Sequence, residues 1–298
     1  MAQAERTRIL ADTNHVRDAV RTARLRRFRF PVLAIAFFAV MLANAGVNQL
    51  VSPVALLALP VGIGVAVAMV TGYRRLSQVV EQRSAVPEVD TRGMWSGLLR
   101  GAAVGAGLFV TLMLLIAMFG GWQDMSWGSV WGFIATAGTT ASVAVVEEVL
   151  FRGILFRIMQ EHLGTVITLV TSSVLFGLTH LLNENATVWG AISIALSGGA
   201  LTGAAYVATG SLWLPIGVHF AWNLTHAGIF GVAISGSAEA PRSLLHTTLS
   251  GPSPLTGGTF GPEASLIALL ICLVPTVVLL RRAVREGRIQ PRRWRAKA

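Results

Sequence analysis

Glu147, Glu148, His180, His219 and Asn223 lie inside stretches that are otherwise almost wholly apolar. An ionisable group in hydrocarbon costs free energy, so such residues persist where they have a use. A carboxylate and an imidazole from different helices can grip one water and deprotonate it. A second imidazole with an amide can stabilise the oxyanion of a tetrahedral intermediate. These residue types point to hydrolysis that needs no serine or cysteine nucleophile.

Spacing divides the labour. Adjacent carboxylates on a helix point about 100° apart, so Glu147 and Glu148 are expected to do different jobs. Glu148 and Arg152 are four residues apart and share a face, which predicts an ion pair. Glu147 is left without a local cation, the condition a general base needs. The bland alternative is that both glutamates mark a helix end at the cytoplasmic interface, near Arg152 and Arg157. Phe176 and His180 share another face, where the ring can shield the imidazole. His219 and Asn223 repeat the four-residue spacing, as a pair aimed at one point or as polar glue between helices. His226 lies on nearly the same face as His219 but about 10 Å further along the axis.

The elements that carry these residues must be membrane helices. Hydrophobic residues make up 53% of the 298, and charged ones only 13%. This excludes an ordinary soluble domain. Eight spans are expected, roughly Pro31–Leu50, Val54–Gly72, Gly101–Phe119, Val130–Phe151, Gly164–Leu182, Thr187–Val207, Leu212–Ile234 and Ala264–Leu280. The fold class is therefore all-α, a polytopic bundle. The segment 73–100 is expected to include an amphipathic interfacial helix, and 235–262 reads as a flexible loop.

The net charge of +10 is distributed as caps on these spans, which argues against a nucleic-acid partner and for the bilayer. Placing both termini in the cytoplasm puts the arginine-rich connectors inside and leaves Arg242 as the one dissenter. The expected organisation is a cytoplasmic basic arm (1–30), a transmembrane bundle (31–280) with a reactive core at about 130–234, and a cytoplasmic basic tail (281–298). The Arg/Ala-rich composition, with Lys297 the only lysine, points to a bacterial plasma membrane. The single cysteine, Cys272, allows no internal disulfide. Gly101/Gly105 and Gly199/Gly203 have the spacing that lets helices approach closely, or are chance glycines facing lipid.

At these residues the chain resembles the CAAX-processing and bacteriocin-processing intramembrane endopeptidases, the family of the prenyl-protein protease. The family's Glu-Glu-x-x-x-Arg stands here as Glu147-Glu148-Val149-Leu150-Phe151-Arg152. Its Phe-x-x-x-His is Phe176 to His180, and its His-x-x-x-Asn is His219 to Asn223. The ordered set covers roughly 142–230. The resemblance implies a protease acting on a membrane-associated peptide or protein. It implies that Glu147 and His180 activate water, that His219 and Asn223 form the oxyanion hole, and that Glu148, Arg152 and Phe176 support them. No cofactor is favoured. Zinc is the alternative, with Glu147, His180 and His219 as ligands, but His-Glu-x-x-His is absent and Asn is a poor zinc ligand.

Other readings fit less. A rhomboid-type serine protease would use Ser197 with His219 or His226, but position 195 is Ala where that pattern wants Gly. An aspartyl protease needs aspartates in its spans, and Asp90 and Asp124 fall in connectors. A proton-coupled transporter would show related halves. A non-catalytic membrane scaffold would have no need of the complete polar set.

Overall fold

The computed structural model describes residues 28–237 and 242–292. Most of the basic arm, before Phe28, and the end of the tail, beyond Arg292, lie outside the described residues. The chain is an integral membrane protein built from helices, and six of these are long and apolar enough to cross a bilayer. The first two, α1 (Arg29–Val51) and α2 (Ala55–Glu81), form a hairpin closed at Ser52 and Pro53. Next come α3 (Met94–Met118), strand β1 (Trp122–Trp127) and α4 (Val130–Glu148). A π-helical stretch, Val149–Phe156, joins α4 without a break to α5 (Arg157–Thr179).

The run Val130–Leu182 contains 53 residues, which would be about 80 Å long if straight. The hydrocarbon core is about 30 Å thick. The run turns at Gly164, whose φ of 73° and ψ of 174° break the helix, so it supplies two of the expected spans. A side chain there would press on the backbone of Gln290 to Arg292, where Thr165 N–H donates to the Gln290 carbonyl at 2.9 Å.

The next span is α6 (Val188–Ile194), a π turn (Ala195–Gly199) and α7 (Ala200–Thr209). Then follow α8 (Trp213–Asn223) with its own π turn (Leu224–Phe230), strand β2 (Leu245–Leu249), the short α9 (Ser253–Thr256) and α10 (Leu266–Arg285). The outer helices turn large apolar residues outward, Leu50 being 81% exposed and Leu56 73%. With no protein partner there, that surface is the one lipid covers. The α8 segment differs, because most of its residues are buried and it runs through the interior.

Two expectations about connectors change. Helix α2 continues to Glu81, so 73–100 holds no separate interfacial helix, only a short linker with one 3-10 turn at Pro87–Val89. Tyr73, Ser77, Val80 and Glu81 are buried on one face of α2 while Arg74 and Arg75 are exposed on the other, so the amphipathic pattern belongs to the end of a span. The stretch read as a flexible loop contains β2, which pairs antiparallel with β1, along with α9 and two 3-10 turns. Backbone groups at the rim of a bundle pair with one another when water is scarce.

The bundle thus has two distinct ends. At the ribbon end, Ser129, Thr187 and Ser265 cap α4, α6 and α10, each accepting a hydrogen bond from a first-turn N–H. Asn185 N–H donates to Gly236 O at 2.8 Å, and Arg242 donates to Pro53 O at 3.2 Å. At the arginine end, Arg29 pairs with Glu81 and Glu161, Arg157 with Glu81 at 2.6 Å, and Arg83 with Glu88 at 2.5 Å. The Tyr73 hydroxyl donates to Glu88 and also sits 2.8 Å from the Gly153 carbonyl. Arg157 Nε reaches that same carbonyl at 2.8 Å, so the network grips the π stretch.

The Gly101/Gly105 stripe faces α8: a Cβ at Gly101 would collide with the Leu214 carbonyl and one at Gly105 with the Val218 carbonyl. Gly199 and Gly203 likewise sit at a helix interface, against Ser173 and Leu169 of α5. We expect Gly105→Leu to force α8 away from α3 and to lower the thermal midpoint of the detergent-solubilised protein; an unchanged midpoint would refute the close approach.

Burial alone would raise the Glu88 carboxyl. Hydrogen bonds from Arg83 and Tyr73 outweigh it and hold the group below the usual carboxylate range. A carboxyl depressed on folding adds stability above its unfolded pKa, about 4.3, and loses it as pH falls through the lower folded value. Glu88→Gln should therefore melt lower than wild type at pH 7, with the gap closing below about pH 4. A gap independent of pH would contradict this.

Candidate active site

The π stretch after Glu148 adds a residue to one turn and rotates the residues beyond it, a device that recurs at functional sites. Arg152 within it is fully buried, and its guanidinium donates to Glu148 at 3.0 Å and to the Gly199 carbonyl at 2.8 Å. Gly199 ends the second π turn, so two irregular stretches meet through one side chain. The guanidinium also sits over the Phe176 ring, 4.7 Å from its centroid. Here a cation–π contact replaces part of the lost hydration.

Glu148 has a second partner that its sequence position does not reveal. The same Oε1 accepts a hydrogen bond from His219 Nδ1 at 2.9 Å. Glu148 is fully buried, so its charge is shared between Arg152 and His219 and not with water. Carboxylates that hold a histidine in this way fix its tautomer and ring orientation. The other ring nitrogen, Nε2, then points toward Glu147, whose Oε2 lies 3.8 Å away. Glu147 Oε2 is buried and has no hydrogen-bond partner in the protein. The two glutamates therefore diverge, with Glu148 locked into hydrogen-bonded ion pairs and Glu147 Oε2 holding no hydrogen bond, only the longer approach to His219 Nε2.

Phe176 stands between the histidines, its centroid 5.1 Å from His180 and 5.9 Å from His219. Hydropathy alone sets His180 and His219 at different depths, and this ring links them. His180 Nδ1 donates to the Phe176 carbonyl at 2.9 Å, which leaves Nε2 available. Among the described residues the Asn223 side chain has no hydrogen-bond partner. Glu147, His180, His219 and Asn223 all line one cavity of about 750 Å³, together with Phe176. Arg152 and Glu148 stand behind it. The helical run that α4 begins continues through the π stretch into α5, which places Glu147 about 25 Å from the start of α4 at the ribbon end.

The other candidates stand behind the cavity, in a connector or, like Ser197, in the cavity wall with the side chain already engaged. His226 is fully buried, stacks on Phe109 at 4.4 Å and reaches the Ala233 carbonyl at 2.6 Å. It stands behind the cavity, 3.8 Å from Glu263, a buried acid that does line it. Glu263 lies between the stretch that reads as loop and the last expected span, and only its acidity beside a run of small residues could have drawn notice. The Ser197 hydroxyl is spent on the Ser193 carbonyl at 2.7 Å, and Asp90 accepts from Arg92 N–H in a connector. Among the described residues no group of three His, Cys, Asp or Glu side chains could hold a metal ion. As placed, Glu147, His180 and His219 do not form a zinc set.

Removing one partner of a buried ion pair strands the other charge, at a cost of about 3–5 kcal/mol. Glu148→Ala should destabilise the protein by roughly that amount in denaturant or thermal melts. Pairing Glu148→Leu with Arg152→Met should recover most of the loss. If the double variant melts no higher than Glu148→Ala, stranding of the Arg152 charge is not the source of the loss.

Residues 126–225 match the family model described as type II CAAX prenyl endopeptidase Rce1-like. That interval contains all three motifs and most of the cavity floor. No curated protein and no solved structure matches the chain.

Proposed function

We propose that this chain, which carries an Rce1-like type II CAAX prenyl endopeptidase domain over residues 126–225, hydrolyses peptide bonds with a water activated by Glu147 and His180. The observation that supports it most is that Glu147, whose Oε2 has no hydrogen-bond partner in the protein, lines a cavity that His180, His219 and Asn223 share. An acid–base group must be free of competing partners and within reach of its proton.

The steps use the chain's own residues. His180 Nε2 and the Glu147 carboxylate orient one water against the substrate carbonyl. The water oxygen bonds to the carbonyl carbon while Glu147 takes its proton. His219 acts as an imidazolium, with Nδ1–H held by Glu148 and Nε2–H turned to the developing oxyanion, beside the Asn223 amide. The tetrahedral species then collapses, the C–N bond breaks, and Glu147 returns the proton to the leaving amine. Such donors are worth about 2.7–4 kcal/mol each in comparable sites. Phe176 and Arg152 keep the imidazoles in register. The substrate is a membrane-associated peptide or protein segment, and the chain works as an integral enzyme of a bacterial plasma membrane.

Glu147→Gln and His180→Ala should abolish cleavage of a tagged membrane substrate while expression and melting temperature stay near wild type. Turnover retained in either variant refutes the assignment. Asn223→Ala should lower the rate by about 100- to 1,000-fold, the usual loss for one oxyanion donor. A proton-coupled transporter would lose flux instead in the Glu147 variant, and a scaffold would lose nothing. Activity should survive exhaustive chelation; abolition that zinc restores would replace the water-only mechanism with a metal-dependent one.

A further inference from the structure

Of the two ends of the bundle, the cavity reaches the one poor in positive charge. The lining residues that remain exposed include Gln49, Leu182, Glu184 and Arg242, all at the ribbon end. Asn183, Ser235 and Ser237 complete this rim, and Asn183 Nδ2 donates to the Ser235 carbonyl at 2.6 Å. No residue of the arginine-end network, from Arg29, Tyr73, Glu81, Arg83 and Glu88 to Arg157 and Glu161, touches the cavity. The side wall on α1 presents the exposed Leu42 and Ala45, so the cavity also meets lipid laterally on the ribbon-end side of Glu147.

Charge assigns a face to each end. Of the 24 Lys and Arg residues, Arg242 is the only one among those described that sits at the ribbon end. Its guanidinium is held by the Pro53 carbonyl. The arginine end carries Arg29, Arg74, Arg75, Arg83, Arg92 and Arg157, followed by the arginines that close α10. Lys and Arg are retained on the cytoplasmic side of short membrane loops. The connecting loops 52–54, 82–93, 119–129, 183–187 and 210–212 are all short.

We infer that the catalytic cavity faces the extracytoplasmic side, so that its substrate is a peptide segment of an exported protein, or of one lying in the outer leaflet. Cytosolic tails meet the closed, arginine-bearing end and have no route to Glu147. The wall suits an extended chain. Asn44, Asn48, Thr139 and Thr140 bring polar groups along one side, and the buried Asn44 Oδ1 has no partner in the protein. An extended peptide carries unpaired N–H groups that such acceptors satisfy. This inference rests on the proposed endopeptidase reading for its substrate, and on charge and cavity shape alone for its face.

The test uses the full chain in a Cys272→Ser background, because the one native cysteine, though only 1% exposed, lines the cavity. Gln49→Cys and Glu184→Cys place a thiol at the mouth, and Ser84→Cys places one in the arginine-end linker. A membrane-impermeant maleimide added to intact spheroplasts should label the first two and spare the third, with the pattern reversed in inverted vesicles. Labelling of Ser84→Cys from outside, or equal labelling of all three, overturns the inference. The second arm presents a membrane-tethered reporter peptide on either face, with Glu147→Gln as the control. Cleavage confined to the extracytoplasmic reporter supports the inference, and cleavage confined to the cytoplasmic one overturns it. Absence of cleavage at both faces counts against the endopeptidase reading instead, and the labelling pattern then decides alone which face the cavity opens to.

Discussion

A guanidinium with no access to water must be neutralised where it stands, and Arg152 is such a group. Its position fixes what surrounds it. Glu148 has to set a carboxyl oxygen beside it, Gly199 has to turn a carbonyl toward it, and Phe176 has to lie across its face. The carboxylate recruited for that purpose has capacity to spare and takes His219 Nδ1 as well. One costly buried charge thereby orders residues from four separate segments of the chain.

The backbone accommodates this by departing from regular helix. In an α-helix each interior carbonyl already accepts from the amide four residues on, so a side chain from another segment finds only its second lone pair. The π turns at 149–156 and 195–199 loosen that commitment. Gly199 O goes to Arg152, and Gly153 O goes to Tyr73 and Arg157. The second of these ties the site to the ionic cluster at the arginine end. Structural support comes from below the cavity, and the open side is left to the substrate.

Much of this was legible in the sequence, for reasons that differ from residue to residue. The divergence of Glu147 from Glu148 follows from helix geometry, and the Glu148–Arg152 pair from their spacing. The shared face of Phe176 and His180 follows in the same way. The bond between Glu148 and His219 was not legible, because it joins residues 71 apart and depends on how α4 and α8 pack. Hydropathy found the spans by counting apolar residues, but it could not distinguish a lipid-facing helix from α8, which is as apolar as its neighbours yet runs through the interior. The β1–β2 ribbon was missed because β1 falls in a connector between two spans and β2 in a stretch rich in Gly, Ser, Thr and Pro. Glu263 escaped notice because acidity at the edge of a loop is ordinary until the loop folds over a cavity.

The most direct measurement of the central interaction is the protonation of the His219 ring in lipid bilayers. Solid-state 15N spectra of histidine-labelled protein, assigned by loss of the His219 signals in His219→Gln, report each nitrogen separately. We expect a proton on Nδ1, held by Glu148, whatever the state of Nε2. A bare Nδ1, with the ring bound through Nε2–H alone, would contradict the Glu148–His219 bond on which the site is built.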